Sequence, residues 1–508
     1  MCFAACGTGA ANVLWACEPF LRPPRLSEVT VDNSRRSRKP GRRSRSTASI
    51  FAPRYRITTL AIVTLMTIIA FEALAVATAL PTAARSLHGL ASYGWAFTGF
   101  LVASVVGMVA SGMHADSRGA RSPLLIGLVL FISGLLVGGV AESMWVLIAA
   151  RVVQGLAVGL LITAMYVVMG EVYDDAIRPK MFAALATSWI VPGLVGPVVA
   201  GWITEHLSWR WVFGGLAPFV AIAGLMLLPA LRQLRTHTAS GAMRDRRRIG
   251  FAVLTALGIA GVADLGESQS VLSVLLGILG LAAMVFGLRR LLPAGTAGFV
   301  VGVPAAIAFR GVLSGVFSGM EIIVPLTLTV QHHYSPTLAG MPLMLTAISW
   351  AAASQIQGRL RDPNRAVLVA LGLTLIAAGG FGMAVVAVRA VPGWTAFLCW
   401  PVAGFGAGFA LTSASVVLLE HTTDADRGSD SAAFQLSDSA MSALFTGFSG
   451  ALVASAAHGR ISYGAGFATV YLTMAIVAVL TILRAPRLRP KSVPDGVGPL
   501  GAPSVVSS

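Results

Sequence analysis

Four charged side chains stand in segments of this chain that are otherwise almost wholly apolar: Glu72, Arg151, Glu321 and Asp438. A charge at membrane depth is costly unless a partner or water meets it, so such residues mark ion pairs, proton relays or substrate paths. Glu72 lies nine residues before Pro81, at one end of its apolar block, and Arg151 about seven residues into another block. At 1.5 Å per residue both sit roughly 10–14 Å below the same surface. They are expected to face a common cavity and to pair there, directly or through water. Burial opposes the carboxylate's charge and a neighbouring arginine favours it. A cavity that opens and closes around Glu72 would then load and release a proton. Glu321 and Asp438 are further candidates for that proton coupling. Arg310, near the end of its block, is expected to snorkel to the headgroups as an anchor.

The elements that must position these residues follow from composition. Of 508 residues 56% are hydrophobic and 11% charged, and the mean hydropathy is +0.78. Soluble domains carry roughly 25% charged residues. Apolar blocks fall at 57–80, 93–113, 122–141, 144–170, 181–203 and 211–231, then 249–265 and 271–288, then 305–330, 337–357, 366–388, 392–419, 431–456 and 465–484. These blocks are long enough to cross a hydrocarbon core of about 30 Å. Fourteen helices are expected, although 249–265 stands at the lower limit of length and a twelve-helix protein with a re-entrant pair is the alternative. With the N-terminus inside, sixteen basic residues fall in inner loops and four in outer ones. Positive charge stays on the cytoplasmic side, so both termini are expected there.

The chain also repeats itself. A shift of 249 pairs Glu72 with Glu321, Gly155 with Gly404, Gly159 with Gly408, Glu171 with Glu420 and Arg178 with Arg427. The fold class expected is all-α and integral to the membrane: two six-helix bundles in pseudo-twofold repeat, at 57–231 and 303–485, plus two linker helices within 232–302. Cytoplasmic tails occupy 1–56 and 486–508. Repeats of this kind build substrate sites at their interface, near the bilayer midplane.

Several chemistries are excluded. Half of the net charge of +16 falls in residues 1–56, and no aromatic residue stands between Arg22 and Arg45. That reads as a tail touching anionic lipid, not as a nucleic-acid surface. Three cysteines crowd into the first 17 residues and Cys399 sits in an apolar block, so no disulfide framework or metal site is implied. None of the three lysines completes a phosphate-binding GxxxxGK[ST] loop. There is no HExxH, and His332 and His333 are neighbours whose side chains point apart. Gly404, Gly406 and Gly408 lie mid-membrane, where glycine serves close helix packing. No enzyme, metal or cofactor is expected.

Three motifs add specificity. The loop after the second block holds Gly112, Ala115, Asp116, Arg118, Gly119 and Arg121, and a degraded copy holds Asp362 and Arg365. Carboxylates facing arginines at helix ends make a breakable latch. The fourth block carries Arg151, Gln154 and Gly155, and the fifth carries Gly193, Gly196, Pro197 and Gly201. Glycines with proline make a bendable, tightly packed helix, with the close contact expected at Gly196.

In these motifs the sequence resembles the major facilitator superfamily. Its loop G-x-L-A-D-R-x-G-R-[RK] is matched at Gly112, Ala115, Asp116, Gly119 and Arg121, with departures at His114 and Ser117 and the basic residue moved to Arg118. Its R-x-x-Q-G is matched by Arg151, Gln154 and Gly155. The exporter motif G-x-x-x-G-P-x-x-G-G is approached, with the first glycine one residue closer and Ala200 in place of a glycine. The fourteen-helix drug:proton antiporters carry an aspartate ahead of an Ala-Leu-Pro. Glu72, ahead of Ala79-Leu80-Pro81, keeps the acid on a longer arm. The resemblance implies a monomeric secondary transporter of the cell membrane, exchanging amphipathic or cationic small molecules for protons. Export of an endogenous lipid or metabolite, or proton-linked uptake, is the alternative within the fold. A non-transporting receptor or scaffold would leave the membrane acids unexplained.

The latch reading is tested by Asp116→Asn. It should abolish flux in vesicles while membrane insertion and ligand binding persist; equal loss of binding and flux would contradict it.

Overall fold

The computed structural model describes residues 49–174, 177–231, 246–264, 271–360, 363–422 and 427–488. Among them there is no strand. In lipid a helix satisfies its own backbone groups, whereas an open strand edge does not. The helices are α1 (Arg56–Ser86), α2 (Tyr93–Arg118), α3 (Arg121–Gly139), α4 (Met144–Val172), α5 (Arg178–Thr187), α6 (Ile190–His206), α7 (Trp209–Gly214) and α8 (Ala217–Leu231). Then come α9 (Arg246–Asp264) and α10 (Val271–Leu291). The rest are α11 (Val303–Glu321), α12 (Val324–Gln331), α13 (Pro336–Arg359), α14 (Arg365–Ala387), α15 (Ala396–His421), α16 (Arg427–Ala457) and α17 (Tyr463–Ile482).

Twelve segments of the described residues are long and apolar enough to cross a membrane. Of the blocks read from the sequence, α6 and α9 fall outside that set. The first is 17 residues long, and the second opens on Arg246, Arg247 and Arg248.

Three blocks expected as single helices are broken, between α5 and α6, between α7 and α8, and between α11 and α12. In each case a proline (Pro192, Pro218, Pro325) stands four residues after a residue at the break or the preceding helix end: Ser188, Gly214 and Glu321. Proline has no N–H for the carbonyl four residues back, and its ring crowds that carbonyl. Pro81 and Pro401 remain inside continuous helices, so proline permits a break and packing decides it.

Several helix starts carry side-chain caps. The Ser143 and Ser462 hydroxyls accept from Val146 N–H and Ala465 N–H, and the Asn364 side chain accepts from Ala366 N–H and Val367 N–H. Each cap satisfies donors that have no partner within the helix.

The 249-residue offset carries through to packing. Gly155 and Gly159 of α4 bring its backbone onto Phe100, Ser104 and Gly107 of α2. Their counterparts Gly404 and Gly408 of α15 pack on Thr346, Ser349, Trp350 and Ala353 of α13. The glycines at 404, 406 and 408 all serve helix contacts of this kind.

Helices α1–α8 and α11–α17 meet mainly at the distal end, opposite the start of α1. One buried apolar cluster joins the distal parts of α1, α2 and α4 to α11, α13 and α15, whereas a second lies wholly within the first half at its other end. At the distal seam Gly94 and Gly450 face each other with no room for a side chain on either. Tyr93 Oη donates to the Ile322 carbonyl at 2.6 Å, and Thr337 Oγ1 donates to Glu205 Oε2 at 2.7 Å. The α9–α10 hairpin lies against α2 and α16, with Ile259, Met284 and Leu288 packed on Ala440 and Ala443.

Within the glycine motif of α6 the close approach is at Gly201 and not at Gly196. A Cβ at Gly201 would lie 2.6 Å from Thr337 Cα, whereas one at Gly196 would have Phe71 at an ordinary 3.6 Å. Overpacking costs about 1–3 kcal/mol. Gly201→Leu should therefore destabilise the protein by that amount and weaken the distal seam, while Gly196→Ala stays near neutral. Thermal unfolding in detergent measures both.

Candidate functional site

The site grows from α4. Gly155 lets α4 lie against the α2 backbone, and one turn earlier the same approach brings Arg151 onto α2: its Nε donates to the Ala96 carbonyl at 3.2 Å. The Phe100 ring lies 4.1 Å from the guanidinium carbon, within range of a cation–π contact. Arg151 Nη1 donates to Glu72 Oε1 of α1 and to Gln154 Oε1, the latter at 2.7 Å. Gln154 in turn donates to the Gly134 carbonyl of α3 at 2.8 Å. Four helices thus converge on one ion pair.

The pair is sealed: Glu72 is 0% exposed and Arg151 2%. Glu72 Oε2 is buried with no hydrogen-bond partner among the described residues. Burying a charge is tolerated when it is paired and hydrogen-bonded, and Arg151 meets that condition on three sides. A carboxylate with one oxygen on an arginine and the other free has a place for a proton.

The repeat does not reproduce this chemistry. Glu321 ends α11 at the break before α12, and none of the ion pairs among the described residues includes it. At the position equivalent to Arg151 stands Trp400, fully buried and stacked on Phe317 with ring centroids 5.1 Å apart.

The second half carries a different pair. Arg310 Nε lies 2.6 Å from Asp438 Oδ1, and Ser314 Oγ donates to the same oxygen. Arg310 is 1% exposed, so the expected snorkelling anchor is corrected: its guanidinium turns inward to a carboxylate on α16. Gly311, Gly315 and Gly319 form a ridge on α11 against Ser437, Met441 and Phe445 of α16, and this close packing makes the pairing possible. That four-residue glycine spacing was the sequence signal for a close partner helix; nothing in the sequence says which helix.

The latch residues are placed in part. Gly119 follows α2 with φ of +87°, a conformation suited to glycine, and its N–H closes on the Ala115 carbonyl at 2.9 Å. Arg118 and Arg121 are exposed, and Gly112 faces Thr163 across α4. His114, which departs from the family motif, bridges α2 to α3 through Ser122 Oγ at 2.5 Å. The side chain of Asp116 and the whole of Asp362 lie outside the described residues. Arg365 meets Glu420 of α15 at 3.9 Å. In α6, Gly193 faces Ala347 of α13, and Pro197 backs onto Gly340 of the same helix.

Removing one member of a buried pair leaves the other uncompensated, at about 3–5 kcal/mol. Arg151→Met should lower stability by that amount, and adding Glu72→Leu should restore most of it. Thermal unfolding of both variants in one detergent gives the comparison, and an additive loss would mean the two residues do not interact.

Comparisons with known proteins agree with this architecture. A probable multidrug-efflux transporter of Mycobacterium tuberculosis is 24% identical over 422 residues, covering 80% of this chain and 89% of that protein. The multidrug transporter protein MdtP of Bacillus subtilis is 30% identical over 163 residues, 32% of this chain and 30% of its own. Among solved structures, a POT family transporter in complex with a thioalcohol-conjugated peptide superposes with a TM-score of 0.65 at 12% identity, covering 85% of this chain and 96% of that one. A D-xylose-proton symporter superposes with a TM-score of 0.57 at 17% identity, over 85% and 98%. At such identities the likeness is one of fold. Residues 60–446 match the Major Facilitator Superfamily, and the chain belongs to that superfamily as a multi-pass membrane transporter.

Proposed function

We propose that this transporter is a proton-coupled antiporter that exports amphipathic or cationic small molecules by alternating access. The observation that carries the reading is the sealed Glu72–Arg151 pair with its free carboxylate oxygen. A relative named as a probable multidrug-efflux transporter supports the export direction. In this reading the chain has fourteen transmembrane helices, with both termini in the cytoplasm. The bundles span 57–231 and 303–485, the α9–α10 hairpin links them, and the protein works as a monomer in the cell membrane without a cofactor.

The distal end is then the outer face, and its closed seam supports a state open to the cytoplasm. Protonation of Glu72 removes one charge of the pair. Arg151 keeps the Ala96 carbonyl and Gln154, so α4 stays docked on α2 while α1 loses its ionic tie. Helix α1 also packs on α6 and α13, so its release is felt at the contact between the halves. Asp116, Arg118 and Arg121, with Asp362 and Arg365 in the repeat, act as latches on the cytoplasmic side. Glu321, at the break between α11 and α12, is the candidate for a second proton-carrying acid.

Glu72→Gln should lower proton-driven export from proteoliposomes by about tenfold or more, a loss of at least about 1.4 kcal/mol of coupling. Exchange of substrate across the membrane without a gradient should persist. Uphill export with unchanged pH dependence would place proton coupling at another acid.

A further inference from the structure

The two buried ion pairs differ in access, and this difference assigns them different work. Glu72 is 0% exposed, whereas Asp438 keeps 15% of its side chain open although its partner Arg310 is sealed at 1%. We propose that Asp438 receives the positive charge of the exported molecule, in exchange for Arg310, while the proton is carried elsewhere. This rests on the reading of the chain as an exporter of organic cations.

The geometry around Asp438 supports the exchange. Oδ1 is met by Arg310 and by the Ser314 hydroxyl, whereas the hydrogen bond that Oδ2 receives among the described residues is a long one, 3.4 Å from Gln435 Nε2. A second cation can therefore approach Oδ2 before Arg310 leaves. Ser314 keeps donating to Oδ1 throughout, so a ligand without N–H groups does not leave that oxygen bare.

The open side of Asp438 does not face the linker hairpin. Successive residues turn by about 100° on a helix, which places Ala440 and Ala443, the hairpin contacts, well around α16 from Asp438. Gln435, Asp438 and Ser442 instead form one polar stripe at i, i+3 and i+7. Ser442 meets Ser318 of α11 at 3.4 Å. Arg310 also lies within electrostatic reach of Tyr166 of α4, a helix of the other half of the molecule. The Phe434 ring stands 5.3 Å from the Arg310 guanidinium, and aromatic faces attract organic cations. The ligand class that fits is an amphipathic monocation, such as a quaternary ammonium or phosphonium carrying aromatic groups.

Charge balance links this site to the proton. Binding a cation at Asp438 adds one positive charge to the membrane interior, and loss of the proton from Glu72 removes one. Exchange can then be coupled through charge between separate carboxylates, with no carboxylate shared by proton and substrate.

The test is equilibrium binding of tetraphenylphosphonium to the purified full-length protein in detergent. Asp438→Asn should weaken binding by about tenfold or more, and Asp438→Glu should retain part of it. Arg310→Gln removes the internal competitor and should tighten binding, a change of sign that a damaged fold does not produce. Unchanged affinity in Asp438→Asn, or weaker affinity in Arg310→Gln, overturns the assignment and leaves the export reading intact. A wild-type protein that binds neither this cation nor a quaternary ammonium of similar size overturns the export reading itself.

Discussion

An arginine held far inside the membrane, and the need to neutralise it, governs how the first half is built. Arg151 reaches Glu72, the Ala96 carbonyl and Gln154 because Gly155 allows α4 and α2 to touch at their backbones. Gln154 then ties the cluster to α3. Each of these contacts answers one requirement: a charge removed from water must be paired and its donors satisfied. In the proposed cycle the same requirement makes the site responsive: a proton gained by Glu72 would change the charge in a region sealed from solvent, and the contacts of α1 would change with it.

The repeat shows how one scaffold carries two chemistries. The glycines at 155 and 404, and at 159 and 408, hold equivalent helix pairs together in equivalent ways. The charge is not equivalent. Trp400 fills the place of Arg151 and stacks on Phe317, and the arginine of the second half appears on α11 as Arg310, paired with α16. Conserving the packing while moving the charge leaves each half with its own ion pair, one closed and one partly open. In the proposed antiport that asymmetry would serve two different cargoes.

The contact between halves is also uneven. Gly94 against Gly450 and Gly201 against Thr337 press backbones together at the distal end, while the apolar cluster at the opposite end of the first half stays within that half. Small residues let helices come close without the side-chain interlocking that would resist separation. A seam built this way can be tight and still part.

Much of this was determined by the sequence alone. Long apolar blocks in lipid can only be helices, and depth along a helix follows from residue count, so the juxtaposition of Glu72 and Arg151 was legible from their distances to their helix ends. The 249-residue repeat and the loop, arginine and glycine motifs were equally open to reading. What only the tertiary structure decided depends on rotation and on which helices become neighbours. Arg310 finds Asp438 through the facing glycine ridge of α11, a relation between helices more than a hundred residues apart. Gly201, and not Gly196, meets a backbone because α13 crosses α6 at that height. Pro192, Pro218 and Pro325 accompany breaks while Pro81 and Pro401 do not, because a missing N–H weakens every such helix equally and the neighbouring helices determine where the chain turns.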